Sequence, residues 1–301
     1  MRSAKYFFMV LIVSLVASCS LVKTTYNNAP ALTIWWLDDY FNFRQTQNAI
    51  LKPALQNLHK WHRQNQLPTY ITQLQDMQTS LANDQISVDE TCKKLATIRS
   101  SIQTLQIESI PIIIEMAPLL SDKQLNRFQK KLVERAEKWK DEWWQDSKEE
   151  QLAARLEKTQ DFAEKMYGNL NDAQLMLLKQ RLEQAAISPA ISYKEIQRRN
   201  DDAFNILSAL QNQSLTTEEK SQLVKTGFDR IQKSPNQEYQ TYADKMTNYT
   251  CETMASLHAS TTPQQKLHAK NWLQDYIDQT IALKTTAIKT TAIKTTAQEV
   301  K

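Results

Sequence analysis

Two glycines, Gly168 and Gly227, serve a chain of 301 residues. Phosphate-cradling loops, dinucleotide fingerprints and nucleophile elbows all need glycine backbone geometry, so none of them can be built here. Tight primed turns, which β-hairpins prefer, are equally out of reach in number. The chain is long enough for one or two cores, and helices are the element left to build them. The expected fold is all-α, an elongated antiparallel assembly of about ten helices, as a multi-helix bundle or stacked hairpins, with no sheet.

Composition sharpens this. Hydrophobic residues make up 41% and charged residues 23%, which excludes both wholesale disorder and a multi-pass membrane protein. The pI near 8.8 invites a nucleic-acid reading. It dissolves once the N-terminus is understood. Arg2 and Lys5 precede an apolar run, Tyr6 to Ala17, with Ser14 its only polar member. That run falls short of the about 20 residues a bilayer span needs, but suits a secretory signal. It ends in Val16-Ala17-Ser18-Cys19, a lipobox-like pattern in which the Cys19 thiol accepts a diacylglycerol and cleavage occurs before it. The chain is thus expected to divide into a signal peptide (1–18), an acylated anchor with an extended tether (19–25), a helical domain (26–283) and a Lys/Thr tail (284–301). Ser20, where aspartate would retain a lipoprotein in the inner membrane, points to the outer membrane, periplasmic face. Residues 20–283 then carry 31 basic against 32 acidic side chains, leaving no basic face for a polyanion, so no nucleic-acid partner is expected.

Apolar residues recur at steps of three and four in Leu125, Phe128, Leu132, Ala136, Trp139 and Trp143, and again in Val88, Leu95, Ile98, Ile102 and Leu105. Helix starts are marked by capping boxes at Ser87/Glu90, Ser121/Gln124, Asn171/Gln174, Thr216/Glu219 and Thr262/Gln265. The last four lie 50, 45 and 46 residues apart, a rhythm of helix hairpins without a repeated chemistry. Breaks are expected at Leu67-Pro68, Ile187–Ala190 and Ser234-Pro235, and a buried helical turn at Ile112-Ile113-Ile114. The tail repeats Ala-Ile-Lys-Thr-Thr at 287–291 and 292–296. Its threonine pairs lower helix propensity, so it reads as a frayed basic end.

Few residues suggest chemistry. His59 and His62, three apart, could share a metal with Asp38 or Asp39, but His62 lies on an apolar stripe and reads as a satisfied core histidine. Trp35, Trp36, Tyr40 and Phe41 either lie on the membrane or anchor a first helix in the core; packing is the preferred reading. Cys92 and Cys251 could form a disulfide in an oxidising compartment, if the fold brings them together, or serve as small hydrophobes. His258 beside Cys251 is read as coincidence, and Asp201-Asp202 and Glu149-Glu150 as solvated faces. No cofactor motif is present.

Tyr26-Asn27-Asn28-Ala29-Pro30, Trp35-Trp36-Leu37-Asp38-Asp39-Tyr40 and Leu58-His59-Lys60-Trp61-His62-Arg63 resemble a family of uncharacterised Gram-negative lipoproteins, as do Leu120-Ser121-Asp122-Lys123-Gln124, Tyr167-Gly168-Asn169-Leu170-Asn171 and Gln197-Arg198-Arg199-Asn200-Asp201. The similarity covers roughly 24–215, and the Lys-Thr-Thr tail departs from it. It implies an acylated helical envelope protein and supplies no catalytic residue. Leu120-Ser121 and Leu215-Thr216 also resemble the Leu-Thr-x-x-Gln helix starts of small periplasmic chaperones, an echo that capping chemistry alone produces. The resulting expectation is a non-catalytic binding or structural lipoprotein, held to the membrane by its lipid and partnered by an envelope protein or an unfolded client. The alternative is a metal-dependent enzyme built on His59, His62 and Asp38 or Asp39.

Overall fold

A computed structural model describes residues 22–144 and 147–298, with backbone alone for 286–298. The expected signal peptide and Cys19 lie outside the described residues. Among these the chain is all helix, without a strand. Eleven α-helices follow in order: α1 Ala29–Phe41, α2 Gln45–Trp61, α3 Leu67–Leu81, α4 Val88–Met116, α5 Asp122–Trp143, α6 Lys148–Tyr167, α7 Asp172–Gln184, α8 Pro189–Ala209, α9 Thr217–Gln232, α10 Gln237–Ala259 and α11 Pro263–Gln298.

All five capping boxes open helices. The hydroxyls of Ser87, Thr216 and Thr262 accept the backbone N–H three residues on at 3.1–3.2 Å, and Asn171 Oδ1 does the same at 3.0 Å. At α5 the observed bond is the reverse one, Ser121 N–H to Gln124 Oε1 at 3.0 Å. Each cap satisfies a donor that the first helical turn leaves orphaned.

The glutamines of these boxes do more than cap. Gln47, at the start of α2, and Gln124, at the start of α5, exchange amide hydrogen bonds at 3.1 and 2.9 Å across 77 residues. Gln174 and Gln265, starting α7 and α11, do the same at 2.9 Å in both directions. Each Nε2 also donates to a carbonyl two residues before its partner's N-cap: Leu119 and Asn42 in the first clasp, Ser260 and Asn169 in the second. All four carboxamides are buried. Because each is saturated by a cap, a partner and a carbonyl, burial leaves no donor or acceptor stranded. The two left-handed residues among those described, Asn42 (φ 48°) and Gly168 (φ 77°), close the helices that run into the two clasps.

The core is four clusters. Tyr40, Phe41, Leu125 and Phe128 join α1 to α5. Leu51, Leu55 and Met116 join α2 to the end of α4. Ile110, Leu210 and Val224 join α4, α9 and the end of α8. Leu81, Ala163, Tyr167, Leu178, Leu257 and Leu273 gather α3, α6, α7, α10 and α11. Sequential hairpins do occur, as in α1/α2, α6/α7 and α8/α9, but the most extensive pairings join distant elements, α11 on α3 and α5 on α8. Gly227 allows α9 to approach α8, where a Cβ would collide with Ile206.

Several expectations need correction. The backbone is already helical at Val22, so residues 22–25 belong to the lead-in of the first helix and not to an extended tether. Leu67-Pro68 is no break: Gln45 to Leu81 is helical throughout, joined by one π turn, His62–Gln66. Proline cannot donate to the carbonyl four residues back, and the widened turn absorbs that loss. The tail is helical to Gln298 instead of frayed. Neither glycine nor a further proline follows Pro263 to stop it. Finally, Val88, Ile98 and Ile102 of the α4 stripe are exposed.

Candidate functional site

The π turn brings together a cluster of aromatic, imidazole and guanidinium side chains. The π turn carries His62 and Arg63 off the end of α2 and sets them against Tyr26, in the helical lead-in to α1. His62 sits between two phenols, Nδ1 at 2.9 Å from Tyr26 Oη and Nε2 at 3.3 Å from Tyr70 Oη. The His59 ring packs on Tyr26 with centroids 4.7 Å apart. Arg63, buried, lies 4.9 Å from the centroid of the same ring. Its guanidinium donates to Asn27 Oδ1 at 2.7 Å and to the Leu283 carbonyl at 2.9 Å. One side chain therefore ties the entry of the domain to the far part of α11.

Beside this cluster an apolar cleft of about 540 Å³ opens between α1, α2 and α4. Leu51, Leu55 and Leu58 form one wall, Ile102, Leu105 and Ile112 another, and His59 and His62 stand at its polar end. His59 Nε2 is buried and has no hydrogen-bond partner among the described residues. Burial lowers the His59 pKa below its usual value, helped by the Arg63 charge. Burial lowers that of His62 too, with His59 and Arg63 adding to the effect, and it lifts the Tyr26 phenol to about 12. Both imidazoles are thus held neutral near pH 7. The arrangement suits an apolar body with one hydrogen-bonding end, the ordinary pattern of a ligand cleft.

The carboxylates of the metal hypothesis are engaged elsewhere. Asp38 Oδ1 accepts the Phe43 N–H at 2.8 Å. Asp39 pairs with Lys131 at 3.1 Å. No three His, Cys, Asp or Glu side chains among the described residues form a ligand set. His62 has phenol partners on both nitrogens, as a satisfied histidine should.

The aromatic segment divides between its two readings. Tyr40 and Phe41 are buried, while Trp35 and Trp36 are 75% and 48% exposed. Packing holds for the end of α1 only.

Cys92 and Cys251 are joined, stapling α4 to α10 across 159 residues. Cys251 is therefore engaged with sulfur, and the neighbouring His258 turns away to Tyr167 Oη at 3.0 Å and the Asn83 carbonyl at 2.9 Å.

Besides the glutamine clasps, sequence reasoning missed a buried charged network. Glu195, 2% exposed, accepts from Arg198 at 2.7 Å, Arg199 at 2.8 Å and Ser234 at 2.8 Å. Burial alone would raise its pKa, yet the bonds from Arg198, Arg199 and Ser234 outweigh it and hold the carboxyl below its usual value. Asp202, read as solvated, instead bridges Arg198 and Arg230, locking α8 to α9. Removing one partner from such a network would strand a buried charge and destabilise the fold strongly.

The profile of a family of unknown function, DUF6279, matches residues 39–240. The chain belongs to that family. The matched span holds the first glutamine clasp, most of the cleft and the Glu195 network. It leaves out Trp35 and Trp36, Cys251 and all of α11. No curated protein and no solved structure matches the chain.

Proposed function

We propose that this protein is a lipid-anchored envelope protein, acylated at Cys19 and held at the periplasmic face of the outer membrane, with a binding or structural role in place of catalysis. The observation that carries this reading is the Cys92–Cys251 disulfide. Structural disulfides persist in oxidising compartments, which supports export, and export is what the charged start, the apolar run and the lipobox-like Val16-Ala17-Ser18-Cys19 call for. The apolar cleft, lined by neutral His59 and His62, supports a binding role. The partner on this reading is another envelope protein or an unfolded client presenting an apolar segment. The lipid itself adds about 0.8 kcal/mol per buried methylene, so its chains make a stable anchor.

The test is metabolic labelling with a fatty acid, followed by membrane fractionation. Wild type should carry label in the outer membrane, and Cys19→Ser should persist as unlabelled precursor. Label retained in Cys19→Ser, or wild type released soluble into the periplasm, overturns the anchor. Crosslinking in intact cells with a photoreactive residue at Ile102 should then capture the cleft's partner.

A further inference from the structure

Arg63 gathers two stretches that lie far apart in sequence. Its guanidinium reaches Asn27 and the carbonyl of Leu283 at once, so the stretch entering the domain and the stretch entering the Lys/Thr tail meet at this side chain. The chain before Val22 leads back to Cys19 in three residues, at most about 11 Å. Beside this junction the first helix presents a face that is uncovered among the described residues. Val22, Leu32, Trp35 and Trp36 are all exposed, and a shallow trough of about 620 Å³ runs along the face from Val22 to Trp36. From Thr24 to Leu37 there is no charged residue. The opposite face, Ile34 and Leu37, packs into the core. The stretch 284–301 carries four lysines and a single glutamate.

We propose that the first helix makes a second membrane contact: the Val22/Leu32/Trp35/Trp36 face enters the headgroup region of the bilayer, and the charge of the four lysines that follow Leu283 in sequence adds attraction for its anionic phospholipids. The proposal rests on the lipid-anchor reading. The chemistry of both parts points to a lipid surface. Tryptophan side chains favour the interface, where an apolar ring and an N–H donor are both accommodated. A cluster of lysines close to a leaflet is attracted by anionic headgroups, an attraction that salt screens. On the lipid-anchor reading Trp35 and Trp36 follow the acylated residue, Cys19, by sixteen and seventeen positions, most of them in one helical stretch, so a leaflet lies within reach of their exposed rings.

The experiment places the mature acylated protein in phosphatidylethanolamine vesicles, with and without phosphatidylglycerol, whose acyl chains are brominated near the glycerol. Part of the tryptophan emission should be quenched. In the double variant Trp35→Phe/Trp36→Phe that part should vanish, leaving the emission of the remaining tryptophans untouched. Circular dichroism should match wild type, because both positions are exposed. Quenching should be stronger with phosphatidylglycerol and weaker in high salt. Replacing Lys284, Lys289, Lys294 and Lys301 by Gln should remove both dependences. Unquenched tryptophans in protein that carries its label, quenching that survives the double variant, or sedimentation as a dimer through this face would each overturn the contact while leaving the anchor standing. Absence of label at Cys19 removes the anchor, and the contact with it.

Discussion

Two tyrosine–histidine contacts, Tyr167–His258 and Tyr26–His62, have different surroundings. Tyr167 and His258 sit within the cluster that gathers α3, α6, α7, α10 and α11, 5% and 1% exposed. The Asn83 carbonyl accepts from His258 Nε2, which fixes the proton there and leaves Nδ1 to receive the Tyr167 hydroxyl. Nothing in that pair is left over. Tyr26 and His62 make a bond of nearly the same length, but at the edge of a cleft, over a π turn, beside a His59 nitrogen without a partner. The first pair is mortar between helices. The second is a half-buried surface on which another molecule can be placed.

The largest effect separating the two regions concerns the covalent staple. Cys251 lies on α10, seven residues before His258, so reduction should loosen the Tyr167–His258 region first. The 159-residue separation makes the chain-entropy loss about 5 kcal/mol as an upper figure. Hydrogen exchange of Cys92→Ala/Cys251→Ala should show α10 amides losing protection while α2 amides near His62 keep theirs; equal loss in both would merge the two regions.

Next comes the contrast between alanine variants. His258→Ala strands a buried phenol and a carbonyl and opens a cavity, a cost of about 3 kcal/mol. His62→Ala, at a wetter site, should cost about 1 kcal/mol. Urea midpoints measure both.

The pH dependence is smaller. His258, His59 and His62 all have pKa values lowered by burial from 6.5. Around His258, Lys266 lowers it further while Asp84 and the Asn83 carbonyl work against the shift. Between the folded values and 6.5 the unfolded chain binds more protons, so stability is whole above pH 6.5 and is lost as pH falls below it. His258→Gln and His62→Gln should each flatten that fall between pH 7 and 5. A fall unchanged in both variants would place its origin elsewhere.

The smallest effect has the opposite sign. His59→Leu removes a buried nitrogen without a partner, so the fold should hold or gain up to about 1 kcal/mol, while capture through the cleft weakens. A loss of stability would mean that His59 is structural, like His258.

What the sequence revealed follows the range of each interaction. The helix caps at Ser87, Ser121, Asn171, Thr216 and Thr262 were legible because a cap and its donor are three residues apart. The start of α2 was missed, since Arg44 is no capping residue, although Gln47 Oε1 accepts its N–H at 2.8 Å. Apolar spacing found the α4 stripe but could not tell whether a helix covers it. Asp202 looked solvated because its partner Arg230 is 28 residues away on another helix. The same blindness hid the reciprocal glutamines. Of the cleft, His59 and His62 were visible as a pair. Their phenol partners Tyr26 and Tyr70, and the wall supplied by α4, depend on a proline-induced π turn that read as a break.

The disulfide also has a mechanical meaning. It closes residues 92–251 into a covalent ring, and the two arms outside it, containing α3 and α11, lie against each other. Tension between the N-terminus and the far end of α11 would unzip those arms and then stop at the ring, whose interior cannot lengthen while the sulfurs stay bonded. Pulled from both arms, the protein would yield by a bounded amount and keep the Glu195 network folded inside the loop.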